Sequence, residues 1–135
     1  MITVLLADDH VMVRDGLHYL LEAAGDMEVV ALADSGTDAV TKAIVYHPNV
    51  AILDISMPEL DGIEATKQIV AYCPDTRVLL LSMHHTAEYV QRAVEAGAFG
   101  YVLKDAAGYD LLLAVRTLHR GNRYFSKKIA GIARE

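Results

Sequence analysis

Short apolar runs alternate along the chain with longer segments in which apolar residues recur every three or four positions. The runs are mostly continuous in Val, Ile, Leu and Ala, a pattern typical of parallel strands that are covered on both faces. They predict five strands, at residues 2–7, 28–33, 50–54, 77–82 and 99–103. The amphipathic segments predict five helices, at residues 11–24, 37–47, 61–73, 86–96 and 107–120. Repeated strand–helix alternation predicts a doubly wound α/β sheet with right-handed crossovers.

Glycine and proline residues support the predicted helix ends, since glycine commonly follows the last turn and proline cannot continue a helix. They follow the five helices in order as Gly25, Pro48, Pro74, Gly97 and Gly121. The third helix has the weakest apolar stripe, because Thr66 lies between Ile63 and Ile69. We expect the Thr66 methyl group to fill that position.

Composition agrees with a single globular domain. The chain has 135 residues, of which 53% are hydrophobic and 22% are charged, close to the usual values for such domains. No apolar run reaches the roughly 18 residues of a membrane span, and the N-terminus lacks the features of a signal peptide. Cys73 is the only cysteine, so no internal disulfide can form. These features predict a cytoplasmic protein with no membrane partner.

Charge is unevenly distributed. Residues 1–115 contain 17 acidic and 6 basic side chains, whereas residues 116–135 carry six basic side chains and one acidic side chain. The acidic part argues against direct binding of nucleic acid, which requires basic contacts to phosphates. We interpret the basic end as a solvated helix end or linker, with a weak contact surface as the alternative.

Polar side chains lie at the carboxyl ends of four of the five predicted strands: Asp8, Asp9, Asp54, Ser82 and Lys104. The carboxyl ends of parallel strands meet at one edge of the sheet, where such folds bind ligands, so we expect these side chains to lie together. Three carboxylates so close repel one another, and Mg²⁺ with its preference for oxygen ligands would relieve that repulsion. Asp9 and Asp54 are expected to bind the ion directly, and Asp8 directly or through water. The backbone carbonyl of Ser56 would complete the set.

The same residues suggest a reaction. A carboxylate can attack phosphorus and form an acyl phosphate, and phosphoryl transfer depends mainly on positioning and charge neutralisation. Asp54 would be the nucleophile, with Lys104 and Ser82 contacting the phosphoryl oxygens. Each residue taken alone is more often a turn, cap or surface residue, and Asp9 would then simply cap the first helix. The hypothesis therefore depends on the occurrence of all five residues at the same edge of the sheet.

Four segments carry a resemblance to a known family. They are LLADDH (5–10), LDISMPELDG (53–62), LLLSM (79–83) and GAFGYVLKD (97–105). In this order and spacing, over about residues 1–120, the chain resembles the receiver domain of two-component response regulators. The resemblance implies a flavodoxin-like, CheY-like fold with five parallel strands in the order 2-1-3-4-5 and five flanking helices.

The resemblance also implies roles for individual residues. Asp54 matches the phosphoacceptor, Lys104 the amine that contacts the phosphoryl group, and Ser82 the switch hydroxyl. Tyr101 matches an aromatic residue that rotates inward when the switch is triggered. Mg²⁺ ligands are implied at Asp8, Asp9, Asp54 and Ser56. A sensor histidine kinase or a small phosphodonor would supply the phosphoryl group, and the domain would catalyse only its own phosphotransfer and dephosphorylation.

Two positions depart from the family pattern. Met83 follows the switch hydroxyl, where a small residue is frequent, and we expect it to narrow access to the phosphoryl group. Asp105 follows the lysine, where proline is frequent. A cis bond without proline costs about 2.5–4 kcal/mol, so we expect the bond between Lys104 and Asp105 to be trans.

The end of the chain points to a regulator of transcription. Residues 121–135 resemble the segment that joins NarL/FixJ-class receivers to a LuxR-type helix-turn-helix output domain. We interpret residues 1–120 as the receiver and residues 121–135 as a linker, with room for a short helix, toward an output domain that this sequence lacks. Phosphorylation is expected to alter the face formed by the fourth helix, fifth strand and fifth helix and to promote a homodimer. The alternative is a free-standing receiver that acts by protein–protein contact.

Two other functions stay open from the residues alone. A phosphatase of the haloacid dehalogenase type also uses a strand-end aspartate, but it needs a second acid two positions later, where this chain has Ser56. A flavodoxin-like cofactor-binding module needs a glycine- and hydroxyl-rich loop after the first strand, where this chain has two carboxylates. The adjacent His84 and His85 point in different directions, and we interpret them as surface or cap residues rather than a metal pair.

Overall fold

The computed structural model describes residues 1–84 and 86–133. The strands are β1 (Ile2–Ala7), β2 (Met27–Ala33), β3 (Val50–Asp54), β4 (Arg77–Ser82), β5 (Gly100–Leu103) and β6 (Tyr124–Phe125). The helices are α1 (Val11–Ala23), α2 (Gly36–Tyr46), α3 (Gly62–Tyr72), α4 (Ala87–Ala96), α5 (Ala107–His119) and α6 (Lys127–Ala133), and a 3-10 turn (Lys104–Ala106) precedes α5. Outside the described residues lie His85, interpreted above as a surface or cap residue, and the last two residues of the predicted linker, Arg134 and Glu135.

All six strands are parallel, in the order β2-β1-β3-β4-β5-β6. The predicted doubly wound α/β fold and the order of its first five strands are confirmed. Within the described residues, the sheet has six strands rather than the predicted five. The additional strand, β6, was not predicted because a strand of two residues is too short to show periodicity. Both β6 and α6 lie in the segment interpreted as a linker, and the boundary at residue 120 stays a prediction.

Side chains of the central strands alternate between two apolar clusters, one on each face of the sheet. In β4, Val78 and Leu80 join the cluster that includes α2, α3, α4 and α6, whereas Leu79 and Leu81 join the cluster that includes α1 and α5. Every residue of β3 is buried. The continuous apolar runs of the sequence reflect this burial on both faces.

Local contacts explain the helix starts and the polar gap in α3. Ser35 caps α2, because its hydroxyl accepts a hydrogen bond from the Asp38 N–H. Thr66 is fully buried, and its hydroxyl donates to the Gly62 carbonyl over 2.7 Å. A threonine therefore fits the apolar face of α3 without leaving its hydroxyl unpaired.

Two further predictions can be compared with the backbone. None of the described peptide bonds is cis, so the predicted trans bond between Lys104 and Asp105 is confirmed. Within residues 1–84 and 86–133, no helix has the length and apolar character needed to cross a membrane.

Candidate functional site

Four strands deliver polar residues to one edge of the sheet. Asp8 follows β1, Asp54 ends β3, Ser82 ends β4 and Lys104 follows β5. The aspartates and the serine are at most 3% exposed. Polar and charged groups are costly to bury unless they find partners, so the contacts of these side chains decide what the edge can do.

Lys104 joins the two buried carboxylates. Its Nζ lies 3.0 Å from Asp54 Oδ2 and 3.1 Å from Asp8 Oδ2. The contact with Asp54 has the geometry of a hydrogen bond, whereas Asp8 Oδ2 has no hydrogen-bond partner among the described residues. Two buried carboxylates thus share one positive charge, which favours the binding of a further cation.

The turn after Asp54 depends on a glycine. The Gly62 N–H donates to the Ile55 carbonyl over 2.8 Å, which folds the loop back against the end of β3. A Cβ at position 62 would lie 2.4 Å from the Asp54 carbonyl oxygen and 2.8 Å from the Ile55 Cα, closer than any side chain tolerates. Within this turn the Ser56 N–H donates to Asp54 Oδ1 over 3.3 Å. The loop thus helps to orient the carboxylate.

Burial and charge act in opposite directions on the pKa values of this edge. Burial raises the pKa of Asp54, the hydrogen bond from Lys104 opposes that rise, and the charge of Asp8 adds to it. Burial also disfavours the charged form of Lys104, but its hydrogen bond to Asp54 and the attraction of both carboxylates prevail and raise its pKa. One ammonium therefore balances two carboxylates, which leaves an excess of negative charge.

Four side chains at this edge offer ligand atoms for a cation. One atom each from Asp8, Asp9, His10 and Asp54 lies within 4.8 Å of the others. Three carboxylates, two of which share a single ammonium, fit a hard divalent cation such as Mg²⁺. Ser56, expected to add its carbonyl, lies two residues after Asp54 and is exposed; its role as a ligand stays a prediction.

His10 belongs to this edge and was missed from the sequence. Its Nδ1 lies 3.1 Å from Asp8 Oδ1 and 3.3 Å from Asp9 Oδ1, and its N–H donates to Asp8 Oδ1 over 2.9 Å. His10, not Asp9, is the residue at the start of α1, and it makes no side-chain cap bond. Its position directly after the acidic pair was the signal that could have indicated it.

The loop after β4 connects Ser82 with Tyr101. Ser82 Oγ accepts from the His84 N–H over 2.8 Å, and the Tyr101 hydroxyl donates to the His84 carbonyl over 2.7 Å. The His84 ring stacks on Tyr89 of α4, with ring centroids 4.1 Å apart. Tyr101 is fully buried, and burial raises the pKa of its hydroxyl. His84 therefore joins both predicted switch residues to α4.

Comparison with known proteins identifies the family. The sequence matches the family described as response regulator receiver domain over residues 4–116. The chain belongs to this family. It is a receiver domain of the NarL/FixJ type, from a LuxR-family two-component response regulator, as its relatives indicate.

Three relatives illustrate the match. Oxygen regulatory protein NreC of Staphylococcus epidermidis is 42% identical over 127 residues, which are 93% of this chain and 58% of that protein. The structure of a LuxR-family two-component response regulator from Aurantimonas sp. SI85-9A1 is 32% identical with a TM-score of 0.92, over 98% of this chain and 94% of that one. The signal receiver domain of NarL from Mycobacterium tuberculosis is 35% identical with a TM-score of 0.86, over 90% of this chain and 98% of that one. This receiver thus spans just over half the length of its curated relative.

The structure brings the predicted site residues of the receiver into two groups. Asp8, Asp54 and Lys104 are in contact with one another through the ammonium, and Asp9 joins them through His10. The second group consists of the switch candidates Ser82 and Tyr101, joined through His84. The chemical roles assigned to these residues remain predictions.

Proposed function

We propose that this receiver accepts a phosphoryl group on Asp54 in a Mg²⁺-dependent reaction and thereby switches a regulator of transcription. The observation that carries the proposal is the contact of one ammonium, that of Lys104, with the buried carboxylates of Asp8 and Asp54. Buried ion pairs of this kind add little net stability. A reaction at Asp54 accounts for their presence better than a structural role.

The proposed reaction is a direct phosphoryl transfer. An oxygen of the Asp54 carboxylate attacks phosphorus and forms the P–O bond of an acyl phosphate, while the bond between phosphorus and the donor breaks. With a phosphohistidine donor, the ring nitrogen leaves with the electron pair and takes up a proton from water. The Lys104 ammonium and the Ser82 hydroxyl would each donate a hydrogen bond to a phosphoryl oxygen. The receiver would catalyse only this transfer and its own dephosphorylation.

The residues of this edge fit a bound Mg²⁺. Asp8, Asp9 and Asp54 would be its carboxylate ligands, and we assign the carbonyl of Ser56 to the same set. The ion would supply the positive charge that neutralises the phosphoryl oxygens during transfer. Support for the ion comes from the charge balance of this edge, where one ammonium contacts two buried carboxylates.

We assign the switch to Ser82 and Tyr101. Phosphorylation adds about two negative charges and new acceptor oxygens to Asp54, toward which the Ser82 hydroxyl would turn. Both residues hold His84, one through its N–H and one through its carbonyl, so a movement of Ser82 would disturb the hydrogen bond of Tyr101. Because Tyr101 is already buried, the response would be a change in that bond rather than the inward rotation that the resemblance implies.

Membership of the family supports our proposal for the partners. A sensor histidine kinase would supply the phosphoryl group in the cytoplasm, and the phosphorylated receiver would form a homodimer. The curated relative NreC extends well beyond the matched region, which makes up 58% of that protein. We propose that the remainder of the native protein includes a DNA-binding output domain, joined through residues 121–135.

The acceptor assignment can be tested with Asp54→Asn. Incubated with acetyl phosphate and Mg²⁺, the wild-type protein should gain the mass of one phosphoryl group as an acid-labile adduct, and the variant should gain none. Ser82→Ala should keep most of the label but lose the downstream response. Asp75→Asn, which alters an exposed carboxylate before β4, is the matched control and should behave as wild type. An acid-labile adduct on Asp54→Asn would contradict the proposal, and turnover of a phosphomonoester would favour the hydrolase instead.

A further inference from the structure

The residues after α5 are docked on the receiver. We call Tyr124–Ala133, which comprise β6 and α6, the C-terminal arm. Three hydrogen bonds join the arm to β5 and the residue before it: Tyr124 N–H to the Phe99 carbonyl over 3.0 Å, Ser126 N–H to the Tyr101 carbonyl over 3.0 Å, and Leu103 N–H to Ser126 Oγ over 3.1 Å. The arm therefore covers the outer edge of β5.

A single carboxylate ties the arm to α5. Asp110 accepts a hydrogen bond from the Tyr124 hydroxyl over 3.0 Å at Oδ1 and from the Ser126 hydroxyl over 3.3 Å at Oδ2. Burial and the neighbouring Asp110 raise the pKa of Tyr124, which keeps its hydroxyl protonated and able to donate. We call these three residues the Asp110 latch.

The helix of the arm packs against α4. Ile129 is fully buried and belongs to the same apolar cluster as Val90 and Ala93 of α4 and Tyr101 of β5. Through Ile129, the β5 bonds and the Asp110 latch, the arm contacts α4, β5 and α5 at the same time. These are the three elements whose surface the proposed switch would change.

We propose that the C-terminal arm binds the face formed by α4, β5 and α5 most tightly in the unphosphorylated receiver. Phosphorylation of Asp54 loosens this contact. The inference rests on the proposed function and names the segment that its switch acts on. It also implies that the arm and a second copy of the receiver cannot occupy the same face together. A second copy of the receiver competes with the arm for α4 and β5, so release of the arm must come first.

One chain of contacts joins Asp54 to the arm, and the proposed switch residues would supply a second. Lys104 contacts Asp54 over 3.0 Å and directly follows Leu103, whose N–H donates to Ser126 Oγ. Tyr101 donates its hydroxyl to the loop after β4 and accepts the Ser126 N–H at its carbonyl. A shift of Lys104 or of Tyr101 in response to a phosphorylated Asp54 thus reaches Ser126 directly.

Hydrogen–deuterium exchange measured by mass spectrometry tests the proposal. The informative amides are those of Ser126, Ile129 and Ala130, which donate to the Tyr101 and Ser126 carbonyls. After phosphorylation with acetyl phosphate and Mg²⁺, we expect peptides of the arm to exchange about tenfold faster, a typical size for coupling between two sites. The intact mass, measured in parallel, reports the phosphoryl group.

The two possible failures are distinguishable. A phosphorylated protein whose arm exchanges at the unphosphorylated rate would overturn this inference and leave the proposed function intact. A wild-type protein that gains no phosphoryl group at all would overturn both.

Reciprocity supplies a second test, since coupling between two binding events acts equally in both directions. Asp110→Ala removes the acceptor of both arm hydroxyls, and we expect it to bind beryllofluoride, an analogue of the phosphoryl group, about fivefold more tightly than wild type or better. Tyr124→Phe removes one of the two bonds and should change the affinity less, in the same direction. Asp75→Ala, at an exposed carboxylate before β4, is the matched control. Equal affinity in all four proteins would overturn the proposal.

Discussion

The two edges of the sheet differ in their polar side chains: one carries neutral groups that are hydrogen-bonded, and the other carries buried charges. At the amino ends of the strands, Thr3 and Asn49 are joined by two hydrogen bonds of 2.9 Å between backbone N–H groups and side-chain oxygens. The Thr76 hydroxyl donates to the Pro48 carbonyl over 2.7 Å. These groups are uncharged and have partners. At the carboxyl ends, two buried carboxylates share one ammonium.

This difference separates stability from function. Satisfied neutral groups at the amino edge hold the strand starts together and create no demand for a ligand. At the carboxyl edge, like charges are gathered in the interior at a cost that a bound cation would offset. Arrangements that cost stability, such as these buried like charges, are expected at functional sites. If the two edges act independently, a substitution at one edge should leave the properties of the other unchanged.

Replacement of Lys104 should have the largest effect. Lys104→Met leaves Asp8 and Asp54 buried without their ammonium, and breaking such a pair costs about 3 kcal/mol. Urea unfolding should show this loss in the free energy of unfolding without Mg²⁺ and a partial recovery with it. Lys67→Met, which removes an exposed pair with Glu64, is the control and should cost about 0.5 kcal/mol or less. Equal losses in the two variants would contradict the interpretation of the carboxyl edge.

Asn49→Ala should have the next largest effect, at the amino edge. The Thr3 N–H and hydroxyl both lose the acceptor Asn49 Oδ1, which costs about 1–2 kcal/mol. We expect the same loss with and without Mg²⁺ in urea unfolding, and normal phosphoryl uptake by intact mass. A loss that depends on Mg²⁺ would mean that the two edges are coupled.

Tyr101→Phe should have a smaller effect. It removes the hydroxyl that donates to the His84 carbonyl, and one such hydrogen bond contributes about 1 kcal/mol. Urea unfolding should show that loss, and amide exchange should be faster at the His84 N–H, which donates to Ser82 Oγ. Unchanged exchange at His84 would indicate that Tyr101 does not hold the loop after β4.

Asp54→Asn should give the smallest effect on stability, with the opposite sign. Because burial raises the pKa of Asp54, the folded protein holds this proton more tightly than the unfolded chain does. Ionisation of Asp54 therefore lowers stability as pH rises from the ordinary range of a carboxyl group through the raised pKa. Near pH 7 without Mg²⁺, the variant should therefore be slightly more stable than wild type.

The gain in stability from Asp54→Asn should shrink as pH falls toward the ordinary pKa of aspartate. The Asp54 carboxyl group of the wild-type protein then becomes protonated in both the folded and the unfolded state. Thermal unfolding of the two proteins across this range measures the difference. An advantage that grows at low pH would show that burial does not raise the pKa of Asp54.

Short-range rules explain why much of the fold and site was predictable. Continuous apolar runs identify strands that are buried on both faces, and parallel strands must deliver their last residues to one edge. Asp8, Asp54 and Lys104 could therefore be placed together from the sequence. The position of β6 could not, because it depends on the latch between Tyr124, Ser126 and Asp110. Such contacts between distant segments leave no periodic signal.

The same limit applies to two histidines. His10 and His84 contact their neighbours through backbone groups as well as rings, and the path of each loop sets those contacts. The sequence favoured a surface or cap role for His84, and nothing in the periodicity indicated a role for His10. The contacts of both histidines therefore depend on loop geometry rather than on local propensity.

The central claim is that Asp54 is the phosphoacceptor and that its reaction needs a divalent cation. Borohydride converts an aspartyl phosphate to homoserine, so reduction followed by peptide mass spectrometry locates the modified residue. After treatment with acetyl phosphate and Mg²⁺, we predict homoserine in place of Asp54 and none in place of Asp8 or Asp9, and no homoserine when EDTA removes the ion. Homoserine in place of Asp8 or Asp9, or the same yield at Asp54 with EDTA present, would contradict the claim.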